Sequence, residues 1–158
     1  MAIGEKLWEG KAKSTTTIIK GVEADGVWIM ATWTAQMKGM GKAKGVDGQV
    51  TFSSKIKMGP NGAGISQGQG ILATMTGDMA VVKGYGYGKP ATDKAKSVGI
   101  WTFMTMSPKL AWVNDAAAIV TLEGDPQCDG VHGNDLGVEM VKSHVREEEV
   151  PSVSCLGI

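Results

Sequence analysis

Arginine is almost missing from this chain: Arg146 stands alone beside fifteen lysines in 158 residues. The usual planar, two-point clasp for phosphate is therefore absent from residues 1–127, which argues against a nucleic-acid partner. Cysteine is nearly as scarce. Cys128 and Cys155 both fall in the last 31 residues, and no disulfide between them is expected in a reducing compartment. With His132 and His144 they spell C-x3-H-x11-H-x10-C, where only the first pair has knuckle spacing, so no metal is expected. Nothing beside either cysteine suggests an oxyanion site, and no nucleophile motif stands elsewhere. Long apolar runs are also lacking. The opening MAIGEKLWEGKAK has none of signal-peptide length and no stretch approaches a bilayer span, so a cytoplasmic location without a membrane span is expected. Gly84-Tyr-Gly-Tyr-Gly88 and Gly39-Met-Gly-Lys-Ala-Lys-Gly45 are rich in glycine, yet neither has G-x-G-x-x-G spacing and no amphipathic helix follows. No cofactor is expected.

What is present is a beat of two. From Gly26 to Glu123 polarity changes at every second residue, with glycine breaking the pattern at short intervals, as in antiparallel strands with one buried face. Residues 5–20 read as one bent strand or two short ones. A hairpin loop is expected over residues 21–26, with Asp25-Gly26 as its strongest turn signal. In the next strand the odd positions, Val27 to Met37, take the inner face. Asp47-Gly48 turns into a strand whose Val50, Phe52, Ile56 and Met58 point inward, and Pro60-Asn61-Gly62 ends it. Strands at 64–76 and 78–88 follow, then a polar loop over 89–96, then strands at 97–106, 109–114 and 116–123. About eight antiparallel strands predict an all-β meander closed into a barrel. Glycines spaced two apart (Gly39/Gly41, Gly68/Gly70, Gly84/Gly86/Gly88) are expected to bend strands and receive aromatic rings.

Residues 128–158 break with the rest. Residues 1–127 carry fourteen lysines against ten acids, and the remainder two bases against six acids. All nine aromatic rings precede residue 128. The expected division is a barrel domain, 1–127, and an acidic C-terminal tail, 128–158. The tail is weakly ordered or helical, with Asn134 as N-cap and Val138, Val141 and Val145 near one face. Paired lysines (Lys11/Lys13, Lys42/Lys44, Lys55/Lys57) are expected on a solvated outer face, not interleaved with aromatics as a nucleic-acid platform requires.

Ten methionines and five tryptophans are many for this length and suggest a soft, adaptable interior. The candidate ligand-binding set is Trp33, Met37, Gln67, Gln69, Met75 and Met104, with Met58 and Met106 as further lumen residues. Gln67 and Gln69 share a face with Ile65, Ile71 and Met75, which places two amides in an apolar wall. A barrel of this size either holds one small ligand or is filled by side chains.

The meander, the paired glycines and the lack of a helix before residue 134 resemble small up-and-down barrels of the calycin and allene-oxide-cyclase-like kind, over residues 5–127. Gly26-Val-Trp28 is similar to the lipocalin G-x-W element. The resemblance implies carriage of a small apolar molecule or its cyclisation, often in a homo-oligomer, and transfers no functional residue. The expected function is thus a non-enzymatic, soluble barrel that binds a small hydrophobic ligand, self-assembles, or both. Trp8, Trp28, Trp101 and Phe103 are expected partly outward as an assembly patch. An isomerase or cyclase is the alternative, with Asp78 and Tyr85 as the nearest ionisable groups. A structural module whose acidic tail recruits a partner is the third.

Overall fold

Eight strands, each antiparallel to the next, close on themselves when β8 pairs back with β1. The computed structural model describes residues 4–89, 95–124 and 134–141. The strands are β1 (Gly4–Glu23), β2 (Gly26–Gly39), β3 (Gly48–Met58), β4 (Gly64–Thr74), β5 (Met79–Lys89), β6 (Ala95–Met104), β7 (Ala117–Gly124) and β8 (Asn134–Val141). The expected closed all-β meander is the observed fold. The Asp25-Gly26 and Pro60-Asn61-Gly62 turns stand where turn chemistry put them, although β1 runs on to Glu23, into the expected hairpin loop. At Pro60-Asn61-Gly62 the Asn61 Oδ1 accepts the Ala63 N–H at 3.0 Å, and Gly62 takes φ 75°, a left-handed setting that favours glycine.

Two elements differ from expectation, and a third, residues 5–20, resolves to the first of its two expected readings. Residues 109–114 are not a strand. They lie in a 3-10 helix, Pro108–Val113, begun by a proline at its first turn, which buries Leu110 and Val113 as a lid on one end of the barrel. The eighth strand comes instead from Asn134–Val141, where Leu136 and Val138 face inward and Asp135 outward. Its beat is two, and a run of valines at helix-like spacing concealed it. The described part of segment 128–158 is therefore one stave of the barrel. Cys128, His132, His144, Cys155 and the acids at 147–149 lie outside the described residues. Residues 5–20 belong to one long strand with two register shifts, between Ser14 and Thr16 and between Ile19 and Gly21. Such bulges tighten the local twist. Beyond Ala12, β1 pairs only with β2 among the described residues and rises as a lip.

One end of the barrel holds the 3-10 turn Gly41–Ala43 and the lid Pro108–Val113, and this end is plugged. Trp8 is wholly buried, donates its indole N–H to the Val46 carbonyl at 2.9 Å, and stacks on Trp112 at 5.7 Å. From there a column of rings climbs the axis through Phe103, Trp101, Phe52 and Trp33 at centroid spacings of 5.2–6.3 Å. Six of the nine aromatic rings thus fill the lower and middle lumen. The other end lies between the β3–β4 turn and the start of β6, and among the described residues no such plug stands there.

Candidate functional site

Register decides what lines the lumen. On β3 Val50, Phe52, Ile56 and Met58 point inward and on β2 the odd positions do, both as expected, and Ser54 joins the β3 set. Pairing of Phe52 with Gly70, Ser54 with Gly68 and Ile56 with Ser66 then turns the even positions of β4 inward. Gly84, Gly86 and Gly88 of β5 continue this inner row, as do Ser97, Gly99, Trp101 and Phe103 of β6. Glycine lines three adjacent strands because rings from elsewhere occupy the space. A Cβ at Gly70 would lie 2.9 Å from Phe52 Cδ2, and one at Gly84 would lie 2.5 Å from Trp101 Cδ1. Ring packing helps account for Gly68, Gly70 and Gly84, whereas Gly86, Gly88 and Gly99 abut backbone and serine side chains.

The same register overturns four of the six candidate positions as lumen residues. Gln67, Gln69, Met75 and Met104 point outward and are exposed, Met75 at 80% and Met104 at 61%. Met106 is also outward. Apolar side chains occur on both faces of β4 to β6, so alternation alone carries no sign there. Gln67 and Gln69 lie in an outer groove of about 730 Å³ with Trp28, Lys55, Lys57, Lys83 and Tyr85. Lysines and aromatics therefore do meet on the exterior: Lys55 Nζ sits 4.3 Å and Lys57 Nζ 5.3 Å from the centre of the Trp28 ring. Of the remaining two, Met37 is buried near the plug, away from any opening. Trp33 is half-buried and lies at the head of the aromatic column. The expected outward patch is corrected as well. Trp8, Trp101 and Phe103 are core residues at 0%, 4% and 6% exposure, and only Trp28 stands outside.

Above Trp33 the lumen opens into a cavity of about 320 Å³, continued downward by one of about 70 Å³. Both touch Trp33, Ser54, Ser66, Ser97 and Leu122. Ile56 and Met58 form one wall of the upper cavity, and Lys89 and Lys96 stand at its rim. None of the three serine hydroxyls has a protein partner among the described residues. Ser54 and Ser66 come from neighbouring strands, and Ser97 lies beyond the bare backbone of Gly86 and Gly88. Sequence reasoning missed all three. The signal was present, because Ser54 follows Val50 and Phe52 at the same parity, but a serine between Ser53 and Lys55 reads as surface.

Among the described residues Lys89 and Lys96, at the rim, are the ionisable groups of the upper cavity, and neither Asp78 nor Tyr85 lines it. Tyr85 is outside the barrel, 65% exposed. Asp78 sits in the β4–β5 turn at the plugged end, where it accepts from Ser107 Oγ at 2.6 Å and Thr76 Oγ1 at 2.7 Å. Lys109 Nζ lies 3.7 Å away. These two hydroxyl bonds, with help from Lys109, hold its carboxyl below the usual range against the opposing effect of burial. The node ties the β4–β5 turn to the segment that bears the lid. Thr105 completes it, donating to the Met79 carbonyl at 2.5 Å and exchanging two bonds with Asn114.

A folded-state pKa below the unfolded value means that ionised Asp78 adds stability at neutral pH. That share is lost as pH falls through the lowered pKa. Wild-type protein should therefore lose melting temperature steeply below about pH 4, and Asp78→Asn should follow a shallower acid profile. Parallel profiles would remove this account.

The fold and cavity together define a class: a closed eight-stranded antiparallel barrel, plugged by aromatic rings at one end and with a small serine-ringed cavity toward the other. Solved structures share that fold. A protein of unknown function from Clostridium acetobutylicum superposes with a TM-score of 0.70 at 15% identity, covering 87% of this chain and 97% of that one. A β-barrel-like protein from Acinetobacter baumannii gives 0.68 at 15% identity, with coverage of 88% and 95%. A protein from Penicillium herquei described as an enzyme gives 0.63 at 16% identity, with coverage of 86% and 92%. At such identities the likeness is one of fold alone. No family model and no curated protein sequence matches the chain.

Proposed function

We propose that this chain is a non-enzymatic, soluble barrel that holds one small, mainly apolar ligand in its mouth and associates with copies of itself. The observation that carries the first half is the trio Ser54, Ser66 and Ser97, whose hydroxyls face an open cavity with no described protein partner. A polar group turned into an apolar recess calls for a ligand group or water to complete it. The cavity is at the small end of ligand pockets, which run from roughly 300 to 1,000 Å³. Its Trp33 floor and Leu122, Ile56 and Met58 walls suit a flat hydrocarbon body, and the serines suit one hydroxyl or carbonyl. Carriage of a small apolar molecule is also what the calycin-type resemblance implies.

The test uses 2-naphthol and indole as probes, read by tryptophan fluorescence and by native mass spectrometry. Wild-type protein should bind one probe per chain. Ser97→Leu and Gly86→Leu, which project side chains into the cavity, should each weaken binding about tenfold or more, with the circular dichroism of an intact barrel. Unchanged affinity in both folded variants would refute a site in the mouth. Self-association, the second half, depends on the outer surface and is independent of what the lumen holds.

A further inference from the structure

Two rows cross the outer face of β3, β4 and β5 side by side. In one, Lys55 stands beside Gln67 and Gln67 beside Tyr85; in the next, Ser53 stands beside Gln69 and Gln69 beside Lys83. Two amides thus lie between ammonium groups carried by the strands on either side. All four side chains are exposed, and they line the outer groove of about 730 Å³, whose lining contains no carboxylate. Among the described residues Gln67, Gln69 and Lys83 have no side-chain hydrogen bond or ion pair, and Lys55 reaches only the Trp28 ring. Polar groups nearby are matched instead. Gln36 and Gln49 bond each other at 2.9 Å, and Lys57 is paired with Asp25 at 2.7 Å and Glu23 at 3.5 Å.

We infer that this groove is a binding site for one small aromatic anion, separate from the lumen and independent of what the lumen holds. The charged group lies over Gln67 and Gln69, where Lys55 and Lys83 close on it and every donor can be satisfied by an anion's oxygens. The ring of the ligand rests on Tyr85 and Ile65, which supply an exposed aromatic face and an apolar edge. Lysine meets an anion as a point charge, so a compact group such as sulfonate or carboxylate suits this pair without arginine. The groove has the size of a single small-ligand site, roughly 300 to 1,000 Å³. An extended polyanion fits less well. With Lys57 already matched, only two cations are unpaired, and a strand of charge running on past Trp28 would meet Glu23 and Asp25.

Isothermal titration of the full chain at low salt with 2-naphthalenesulfonate tests this. Wild-type protein should bind it. Lys55→Gln/Lys83→Gln, and separately Gln67→Glu, should each weaken binding about tenfold or more and keep the wild-type circular dichroism. Lys13→Gln/Lys20→Gln, which removes the same charge from exposed positions on β1, should leave the affinity unchanged, as should Ser97→Leu in the lumen. Absence of binding overturns the proposal. So does an equal loss in both lysine pairs, which would mean diffuse charge, or a loss confined to Ser97→Leu, which would place the anion in the lumen. Binding of dextran sulfate without binding of 2-naphthalenesulfonate would overturn it in favour of a polyanion.

Discussion

Replacing Trp8 with alanine is expected to cost the barrel about 3–5 kcal/mol, the range for removing a large aromatic side chain from a core. The ring is fully buried, stacks on Trp112 and packs against Phe103, and its indole N–H holds the Val46 carbonyl. Alanine would leave a cavity between plug and column and orphan that carbonyl at once. For a chain of this length the melting midpoint should fall by roughly 10 °C. Trp28→Ala is the matched control. Its ring lies outside, held by Glu23 at 3.1 Å and covered by two lysines, and its loss should cost about 1 kcal/mol or less. Urea denaturation of the two variants measures the difference. Similar losses in both would mean that the plug does not carry the stability assigned to it.

The second large effect comes from adding volume. At Gly68 a Cβ would overlap both the Phe52 ring and the Ser53 carbonyl, and it would lie 2.9 Å from Ser54 Cα. Phe52 has little freedom to retreat, because it stacks between Trp33 at 5.2 Å and Trp101 at 5.5 Å. Gly68→Ala should therefore cost about 3 kcal/mol, toward the upper end for an overpacked core. Part of this clash is with a side chain. Phe52→Leu should be destabilising alone, yet the double variant should be less destabilised than the two single losses added together. A double-mutant cycle measures that coupling, and strict additivity would show that ring and glycine are not packed as described.

Both predictions depend on parity, and parity is where sequence and structure part. Strand β3 carries its apolar residues on one face only, and β2 departs from that only at Trp28 and Met30, so Val50, Phe52 and Trp33 could be placed inside from alternation. In β4 and β5 the inner positions are mostly glycine and serine, and the outer ones are isoleucine, tyrosine and valine. With Leu72 and Val82 inside as well, apolar residues stand on both faces there and the beat has no single sign. Rings borne by β2, β3 and β6 take the lumen volume that β4 and β5 decline to fill. A reading strand by strand cannot see that exchange, because the compensating residue is tens of positions away. The candidate site shifted for this reason: Gln67, Gln69, Met75 and Met104 moved outside, Trp33 stayed, and three serines replaced them.

What the chain's own order of residues determined was local: the two-residue period, the turns at Pro60-Asn61-Gly62 and Asp25-Gly26, and hence a closed antiparallel meander. These follow from backbone sterics and from the pleat, which act within a few residues. Only tertiary structure decided which face of β4–β6 is inside, that Asn134–Val141 supplies the closing strand, and that 109–114 folds as a lid. Each of these depends on pairing register and on volume shared across the barrel, and neither quantity is a property of any single segment.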